Sequence, residues 1–316
     1  MKTFCFLLAA LAICLVEEIS SAETINIETF TVGDPGNPED PATGFGSVGY
    51  SYSIGKYEVT NSEFVAFLNA VDPKGTNPSG VYNEQMASDT RGGILFNADA
   101  PTSSKYRLKA NMGNKPVVYV NWFDAARFCN WMSNGQGAAT METGAYTLAG
   151  LGEGVVASPA KNAINPNTGF PPTWWIPSEN EWYKAAYYDP ETDRPAGPYW
   201  AYPTRSDTVP AVATANAAGD ISNPGPNVAN YNYAWDSTNG NVTTVGSAGV
   251  RSASFYGTFD QGGDVAEIVD VSSTRLNLRG GSWEDAAAAL EKSGGQSRRV
   301  NSLEFRYLIP MADLPG

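Results

Sequence analysis

The sequence has 316 residues with no histidine, three cysteines, and 33 acidic against 20 basic side chains. The absence of imidazole excludes Ser-His-Asp and Cys-His nucleophile systems and histidine-ligated zinc, iron or copper. A net charge of −13 argues against a nucleic-acid partner, because phosphate binding needs clustered Lys and Arg. The same acidity suits a protein that holds a hard cation such as calcium on oxygen ligands.

The first 22 residues have the pattern of a secretory signal peptide. Lys2 precedes an apolar run over residues 4–16 that is too short to span a membrane, and a cleavage site with small residues ends at Ala22. A buried N-terminal helix is the alternative. We therefore predict a signal peptide over 1–22 and one domain over 23–316, secreted to the extracellular space or the periplasm. No later apolar stretch approaches transmembrane length, so we expect no membrane span.

Three helices are predicted from capping signals. The first begins after Thr60, whose hydroxyl can cap it, and Glu63 completes a capping box. The second begins after Asn121, and the third begins after Ser178, with Glu181 completing another box. The apolar side chains expected to face the core are, in the same order, Phe64, Phe67 and Leu68; Ala125, Phe128, Cys129 and Met132; and Trp182, Ala185 and Ala186.

Short extended runs are predicted as strands over residues 50–59, 115–120, 242–246 and 276–283. So few regular elements in so long a chain indicate a single, largely irregular α+β domain. Long loops without regular backbone hydrogen bonding need another interaction to stabilise them. Bound calcium is one candidate.

These segments resemble the formylglycine-generating enzyme, or sulfatase-modifying factor, family over residues 27–306. The matching blocks, in the family's order, are KYEVTN from Lys56, KPVVYVNW from Lys115, IPSENEW from Ile176, ANY from Ala229, GGDVAE from Gly262, RGGSW from Arg279 and FR from Phe305. The resemblance implies the family's fold, an irregular α+β domain of low secondary-structure content related to the C-type lectin fold. It also implies calcium sites with oxygen ligands in the loops.

The residues behind the family's oxidase chemistry are missing from the matching positions. Sulfatase-activating members oxidise a substrate cysteine to formylglycine with copper and oxygen, and they use two cysteines after the Gly-Gly-Ser block, because soft thiolates select Cu(I). Read without a gap from Ser282, those positions hold Asp285 and Leu290. Two of the three cysteines lie in the predicted signal peptide, and Cys129 has core spacing. Related sulfoxide synthases hold iron with three histidines, which this sequence lacks. We therefore expect no copper and lean against an enzyme.

The groove of the family still supplies candidates for ligand contact. Ser282 matches a groove serine and has no predicted base partner, while Glu284 and Asp285 are adjacent carboxylates beside Trp283. The carboxylates form either an acidic pocket for a cationic ligand, a metal or a sugar, or a solvated loop tip. Positions where the family is rich in arginine, suited to buried carboxylate pairing or to ligand contact, hold Arg298, Arg299 and Arg306. The ligand-binding candidates are Trp283, Arg298 and Arg299.

Two calcium sites are implied by the resemblance, with backbone carbonyls and carboxylates as ligands. The matching positions are Asn230, Tyr231 and Asp236 or Asn239 for the first site, and Gly263, Val265 and Glu267 for the second. Asp264 replaces an asparagine of the family and adds negative charge, whereas Ala266 and Ile268 replace two tryptophans and loosen the packing there. The alternative is a set of ordinary Asn and Asp turns without an ion.

Three functions remain open at this stage. The first is a secreted, non-catalytic module that binds a glycan or peptide through the groove near Ser282 or through surface aromatics. The second is an enzyme of altered chemistry, either sulfatase-modifying or another oxidoreductase, with a carboxylate-based site. The third is a structural protein that serves surface assembly. We favour them in that order; the sequence names neither the ligand nor the oligomeric state.

Overall fold

Short helices and strands separated by long loops make up the fold. The computed structural model describes residues 24–137, 140–149, 151, 158–191, 193–232, 242–269, 275–299 and 311–312. The α-helices are α1 (Asn61–Val71), α2 (Gln85–Ser88), α3 (Trp122–Ser133) and α4 (Glu179–Tyr187), and 3-10 turns lie at Val250–Ser252 and Ala287–Ala289. The strands are β1 (Thr29–Val32), β2 (Tyr52–Gly55), β3 (Ile94–Phe96), β4 (Tyr106–Leu108), β5 (Trp174–Trp175), β6 (Ala211–Val212), β7 (Val228–Ala229), β8 (Glu267–Val269), β9 (Arg275–Arg279), β10 (Gln296–Arg299) and β11 (Met311–Ala312). The predicted irregular α+β class is confirmed.

The strands form small sheets. In one antiparallel sheet the order is β1, β2, β11, β5, and in a second it is β10, β9, β8. β3 pairs with β4 in antiparallel fashion, and β6 pairs with β7 in parallel. Because β11 lies between β2 and β5, segments from both ends of the described chain meet in one sheet.

The three predicted helices are present and begin where the capping signals place them. At the start of α1, the Thr60 hydroxyl accepts a hydrogen bond from the Glu63 N–H, and the Glu63 carboxylate accepts one from the Thr60 N–H at 2.7 Å. The other capping boxes pair Asn121 with Asp124 for α3 and Ser178 with Glu181 for α4. Each box satisfies backbone N–H groups that have no partner within the helix.

Helix α3 lies in the centre of the core. Every one of its residues is buried, so the apolar face predicted from Phe128 and Cys129 belongs to a helix that is enclosed on all sides. The polar side of α3 is satisfied internally: the Asn130 amide donates to the Met141 and Tyr146 carbonyl oxygens at 2.8 and 3.0 Å. Loop residues therefore cover the face that would otherwise meet water.

Of the four predicted strands, two are wrong and two are shorter than predicted. The run predicted over 50–59 is a strand only over Tyr52–Gly55. Within 115–120, Pro116 makes only an isolated bridge to Thr60, and Tyr119 has a φ of 65°, which turns the chain out of an extended path. Within 242–246, backbone N–H groups bond to remote loops. The run predicted over 276–283 is a strand only as far as Arg279, because Gly280 and the glycine after it have positive φ.

In the described residues no helix is long and apolar enough to cross a membrane. The signal peptide predicted over 1–22 lies outside the described residues.

Candidate functional site

Three loop segments meet at the position where the resemblance implies calcium. The Asp264 N–H donates to the Asn230 carbonyl oxygen at 2.7 Å, and the Trp283 N–H donates to the Asp264 carbonyl oxygen at 2.9 Å. Gly263 has a φ of 86° and lies so close to Asn230 that a Cβ there would come within 3 Å of the Asn230 carbonyl oxygen. Only glycine fits this conformation and this approach. Residues predicted for two separate calcium sites are thus in direct contact.

At this junction, several buried carboxylate oxygens accept no hydrogen bond from the part of the chain that the structure describes. Asp264 Oδ1 accepts hydrogen bonds from the Asn230 amide at 2.9 Å and from the Thr243 N–H at 2.8 Å. Asp264 Oδ2 and both carboxylate oxygens of Glu267 accept none from another described residue. Both carboxylates are at most 1% exposed. Buried charges without partners are costly, so this arrangement fits a bound cation.

Two further acidic residues, which sequence reasoning missed, lie near this pair. Glu58 is 1% exposed, and Asp260 accepts a hydrogen bond from the Gly246 N–H. Burial, with the charges of the other carboxylates added to it, raises the pKa of Glu58, Asp264 and Glu267. Lys115 is also buried, and burial lowers its pKa, which the charge of Asp264 opposes. The region therefore contains more buried acid than base.

The donor set suits calcium only if backbone carbonyls take part. Among the described residues, no three Asp, Glu or Cys side chains converge closely enough to hold a metal ion by themselves. Asp264 and Glu267 could supply one or two carboxylates, and the carbonyl oxygens of Gly263 and Val265 could supply further ligands, since calcium takes 6–8 oxygens. The Tyr231 hydroxyl is directed elsewhere and donates to the Pro210 carbonyl at 2.6 Å. Asp236 and Asn239 lie outside the described residues.

The groove candidates form a tight turn. Ser282 donates from its N–H and from its hydroxyl to Asp285 Oδ2, at 2.9 and 2.8 Å. The sequence predicts no base partner for Ser282, whereas in the structure its hydroxyl donates to the Asp285 carboxylate. The Ser-x-x-Asp spacing, which is the spacing of a helix N-terminal cap, was the signal that could have found it. Glu284 is exposed, as expected of a loop tip, and Asp285 is half-buried.

Leu290 is part of an apolar cluster. It is fully buried with Tyr202, Ala229 and Tyr231, and its carbonyl accepts a hydrogen bond from the Tyr187 hydroxyl at 3.1 Å. Neither a carboxylate held in a turn nor a leucine in an apolar cluster provides a soft ligand for copper.

Trp283 is fully buried beneath an arginine that sequence reasoning missed. The Arg91 guanidinium lies 5.5 Å from the Trp283 ring centroid. Arg91 also pairs with Asp89 through two hydrogen bonds of 2.9 and 3.0 Å, which lower the pKa of Asp89 to about 2. A side-chain hydrogen bond from Tyr119 also lowers the pKa of Asp89. Tyr119 itself has a strained, positive φ. Trp283, predicted to contact a ligand, is thus enclosed, and the Arg91 guanidinium lies against its ring.

Arg279, from the RGGSW block, joins strand β9 to helix α4. Its guanidinium donates to the Glu179 carboxylate, with Nε at 2.8 Å, and to the Gly294 carbonyl. Arg298 and Arg299 lie on β10, opposite Leu276 and Arg275 of β9. Their side chains and Arg306 lie outside what the structure describes, so their assignment stays a prediction.

A second concave surface has aromatic walls. Tyr82, Phe96 and Tyr106 contact one another with ring centroids 5.1–6.0 Å apart, beside a cavity of about 340 Å³. Phe96 is 39% exposed and lies against Gly75, where a Cβ would come within 3 Å of the ring. Glu84 adds an exposed carboxylate. We call this surface the aromatic groove.

Comparisons with known proteins agree with the fold. The model of the sulfatase-modifying factor enzyme 1-like domain matches residues 20–306. Among solved structures, Treponema denticola variable protein 1 matches with a TM-score of 0.52 at 15% identity, over 93% of this chain and 98% of that one. The structure of CarF matches with a TM-score of 0.47 at 18% identity, over 92% and 99% of the two chains. PvdO from Pseudomonas aeruginosa matches with a TM-score of 0.41 at 16% identity, over 91% and 92%.

The TM-scores for CarF and PvdO are below 0.5, so neither match carries an argument. The match to Treponema denticola variable protein 1 supports a shared fold, and at 15% identity it supports nothing beyond the fold. No relative was found among curated proteins.

Proposed function

Because the chain belongs to the sulfatase-modifying factor enzyme 1-like family, we propose that it is a secreted, calcium-stabilised binding module that does not oxidise cysteine. In this proposal the family fold is kept as a rigid scaffold. A glycan or a peptide binds to its surface. Neither copper nor iron takes part.

The observation that carries the proposal is the environment of Asp285 and Leu290. The family's oxidase members need two thiolates there, to hold Cu(I). Here the Asp285 carboxylate accepts two hydrogen bonds from Ser282, and Leu290 is fully buried among aromatic and small apolar side chains. To form a copper site, both positions would need different side chains and different surroundings.

Calcium is supported by the buried carboxylates at the junction of the loops. Asp264 and Glu267 would hold the ion, together with carbonyl oxygens of the Gly263–Val265 turn. Its charge would compensate oxygens that accept no hydrogen bond from another described residue. Bound there, calcium would fix the three loop segments relative to one another. It would have a structural role and supply no redox chemistry.

Ligand binding is supported by the aromatic groove. Its volume of about 340 Å³ lies within the usual range for ligand pockets, and its walls combine aromatic rings with a small number of polar groups. The exposed Phe96 ring offers an apolar surface against which a sugar ring or a peptide side chain could stack. The carboxylate-based enzyme has less support, because Asp285 is already engaged by Ser282 and Glu284 is exposed.

Replacing Phe96 with alanine should remove the stacking surface and weaken ligand binding by about tenfold, the cost of losing one aromatic contact of about 1.5 kcal/mol. The measurement is a screen of immobilised glycans and peptides, followed by titration of each hit against wild type and Phe96→Ala. Phe170→Ala is the matched control, because Phe170 is 72% exposed and lies outside the groove. Absence of any hit, or equal loss in both variants, would count against binding at this groove.

A further inference from the structure

The aromatic groove presents one exposed ring on a fixed base. Phe96 is 39% exposed, and its ring centroid lies 6.0 Å from that of Tyr82 and 5.5 Å from that of Tyr106, which are both buried. A Cβ at Gly75 would lie 2.5 Å from Phe96 Cε2, so glycine leaves the room that the ring needs. Because neighbouring groups already hold the ring, a ligand that packs on it loses little binding energy to side-chain ordering.

The backbone beside the groove is already hydrogen-bonded within the chain. The Asn77 side chain accepts from the Tyr82 N–H at 3.1 Å and donates to the Tyr82 carbonyl oxygen at 2.8 Å. Asn69 bonds to the backbone of Tyr106 in the same way, at 3.0 and 2.9 Å. A peptide that binds as an added strand needs accessible N–H and C=O groups along a strand edge. Since these groups are occupied at both tyrosines, the groove favours a ligand that binds to ring faces and side chains.

The tyrosine hydroxyls of the groove bond to the protein, whereas the Glu84 carboxylate is accessible. Tyr106 donates to Asp72 Oδ2 at 2.5 Å, and Tyr82 donates to the Ile94 carbonyl oxygen at 3.4 Å. Glu84 is exposed and lines the groove. Burial raises the pKa of Tyr82, and the charge of Glu84 adds to this effect, so the carboxylate lies close to the rings. An ionised carboxylate only accepts hydrogen bonds, which favours a ligand that donates them.

Two lysines beside the groove balance its carboxylates. Lys74 is exposed and directly precedes Gly75, and a Cβ at Gly75 would lie 3.1 Å from Lys105 Cγ. The Lys105 ammonium donates to two loop carbonyl oxygens at 2.6 Å each, which fixes it at this end of the groove. These two positive charges oppose those of Glu84 and Asp72. The surroundings therefore favour a neutral ligand over a cation.

We propose that the aromatic groove binds a pyranose ring of a neutral glycan, with Phe96 as the stacking surface and Glu84 as the acceptor for sugar hydroxyls. This inference rests on the proposed function and narrows its ligand from a glycan or peptide to a neutral glycan. A pyranose has C–H groups on its faces and hydroxyl donors around its edge, which match an aromatic ring beside a carboxylate. The cavity of about 340 Å³ is at the small end of the range for ligand pockets and suits a short segment of a glycan. None of its lining residues is a proposed calcium ligand, so binding does not need calcium.

The test is titration of the full protein with cellotriose, chitotriose and maltotriose, followed by saturation-transfer NMR and calorimetry. We expect at least one of these sugars to bind, with an affinity that high salt leaves unchanged, because the ligand has no charge. Phe96→Leu, which keeps an apolar side chain and removes the ring, should weaken binding about fivefold. Glu84→Ala should weaken it about tenfold, and Glu191→Ala, at an exposed carboxylate outside the groove, should leave it unchanged.

Two comparison ligands separate this inference from the proposed function. Choline represents a cation, and acetyl-Ala-Leu-Ala amide represents a neutral peptide. If either binds through Phe96 and the three sugars do not, the glycan inference is overturned while ligand binding at the groove stands. If sugars, choline and peptide all fail to bind, the groove is not a ligand site and the proposed function loses its support as well.

Two further results would overturn the inference. One is a Phe96→Leu variant that melts as wild type does and binds the sugar with equal affinity. The other is loss of sugar binding in EDTA while circular dichroism shows that the protein is still folded, which would place the sugar at the calcium site. We expect binding in EDTA to equal that in calcium.

Discussion

Replacing Gly263 with alanine should lower the free energy of unfolding by about 3 kcal/mol or more. The φ of 86° costs an L-residue roughly 1–2 kcal/mol. A Cβ within 3 Å of the Asn230 carbonyl oxygen forces backbone to move, which adds roughly 1–3 kcal/mol. The measurement is chemical denaturation of wild type and variant, with and without calcium.

Gly169→Ala provides the matched control for this substitution. Gly169 has a φ of 76°, but a Cβ there would meet no atom within 4 Å, so only the conformational cost applies. We therefore expect Gly169→Ala to lose about 1–2 kcal/mol. Equal losses at the two glycines would show that the close approach between Gly263 and Asn230 does not exist in solution.

Removal of calcium should lower the melting temperature of the wild-type protein by about 5–11 °C. At a calcium concentration 100-fold above Kd, ligand binding contributes about 2.7 kcal/mol, and each kcal/mol shifts the melting temperature of a large domain by about 2–4 °C. Glu267→Gln should abolish the response to calcium, whereas Glu39→Gln, at an exposed carboxylate, should keep it. In EDTA, Glu267→Gln should melt no lower than wild type, because it removes a buried charge that has no cation.

Asp264 and Glu267 also predict how the stability of the folded state depends on pH. The sign of this dependence is opposite to the usual one for acidic residues. Burial raises the folded-state pKa of Asp264 and Glu267 above the values of about 4 that the unfolded chain has. The folded state therefore binds more protons, and in EDTA its stability should fall as pH rises above about 4. Calcium should oppose this loss and bind more tightly at higher pH. An EDTA-treated protein that gains stability between pH 5 and 8, or a wild type insensitive to EDTA, would contradict the calcium proposal.

The parts of the fold that were predictable are those encoded locally. The capping boxes at Thr60 and Ser178 depend on residues three positions apart, so the sequence alone predicted where α1 and α4 begin. The prediction of a strand over 242–246 was wrong because the backbone N–H groups of this segment bond to loops that are remote in sequence. Hydrophobic alternation carries no information about such remote partners.

The candidate site was predictable in part for the same reason. The motif match identified Asn230, Gly263 and Glu267, and the contact between Asn230 and Asp264 joins them. Glu58 has no local signal, since its acidic neighbours lie about 200 residues further along the chain. Arg91 is likewise remote in sequence from Trp283, which it covers. Such groups are found only when the folded chain brings them together.

The central claim is that the chain keeps the family fold and does not oxidise cysteine. The most direct test of this claim is an assay for formylglycine. The full protein, supplied with copper(I) and oxygen, is incubated with a cysteine-containing sulfatase peptide, and the aldehyde product is measured by mass spectrometry. We predict no conversion above a protein-free copper control, and no difference between wild type and Cys129→Ser. Protein-dependent conversion of the peptide would contradict the proposed function, and its loss in Cys129→Ser would identify that buried thiol as the copper ligand.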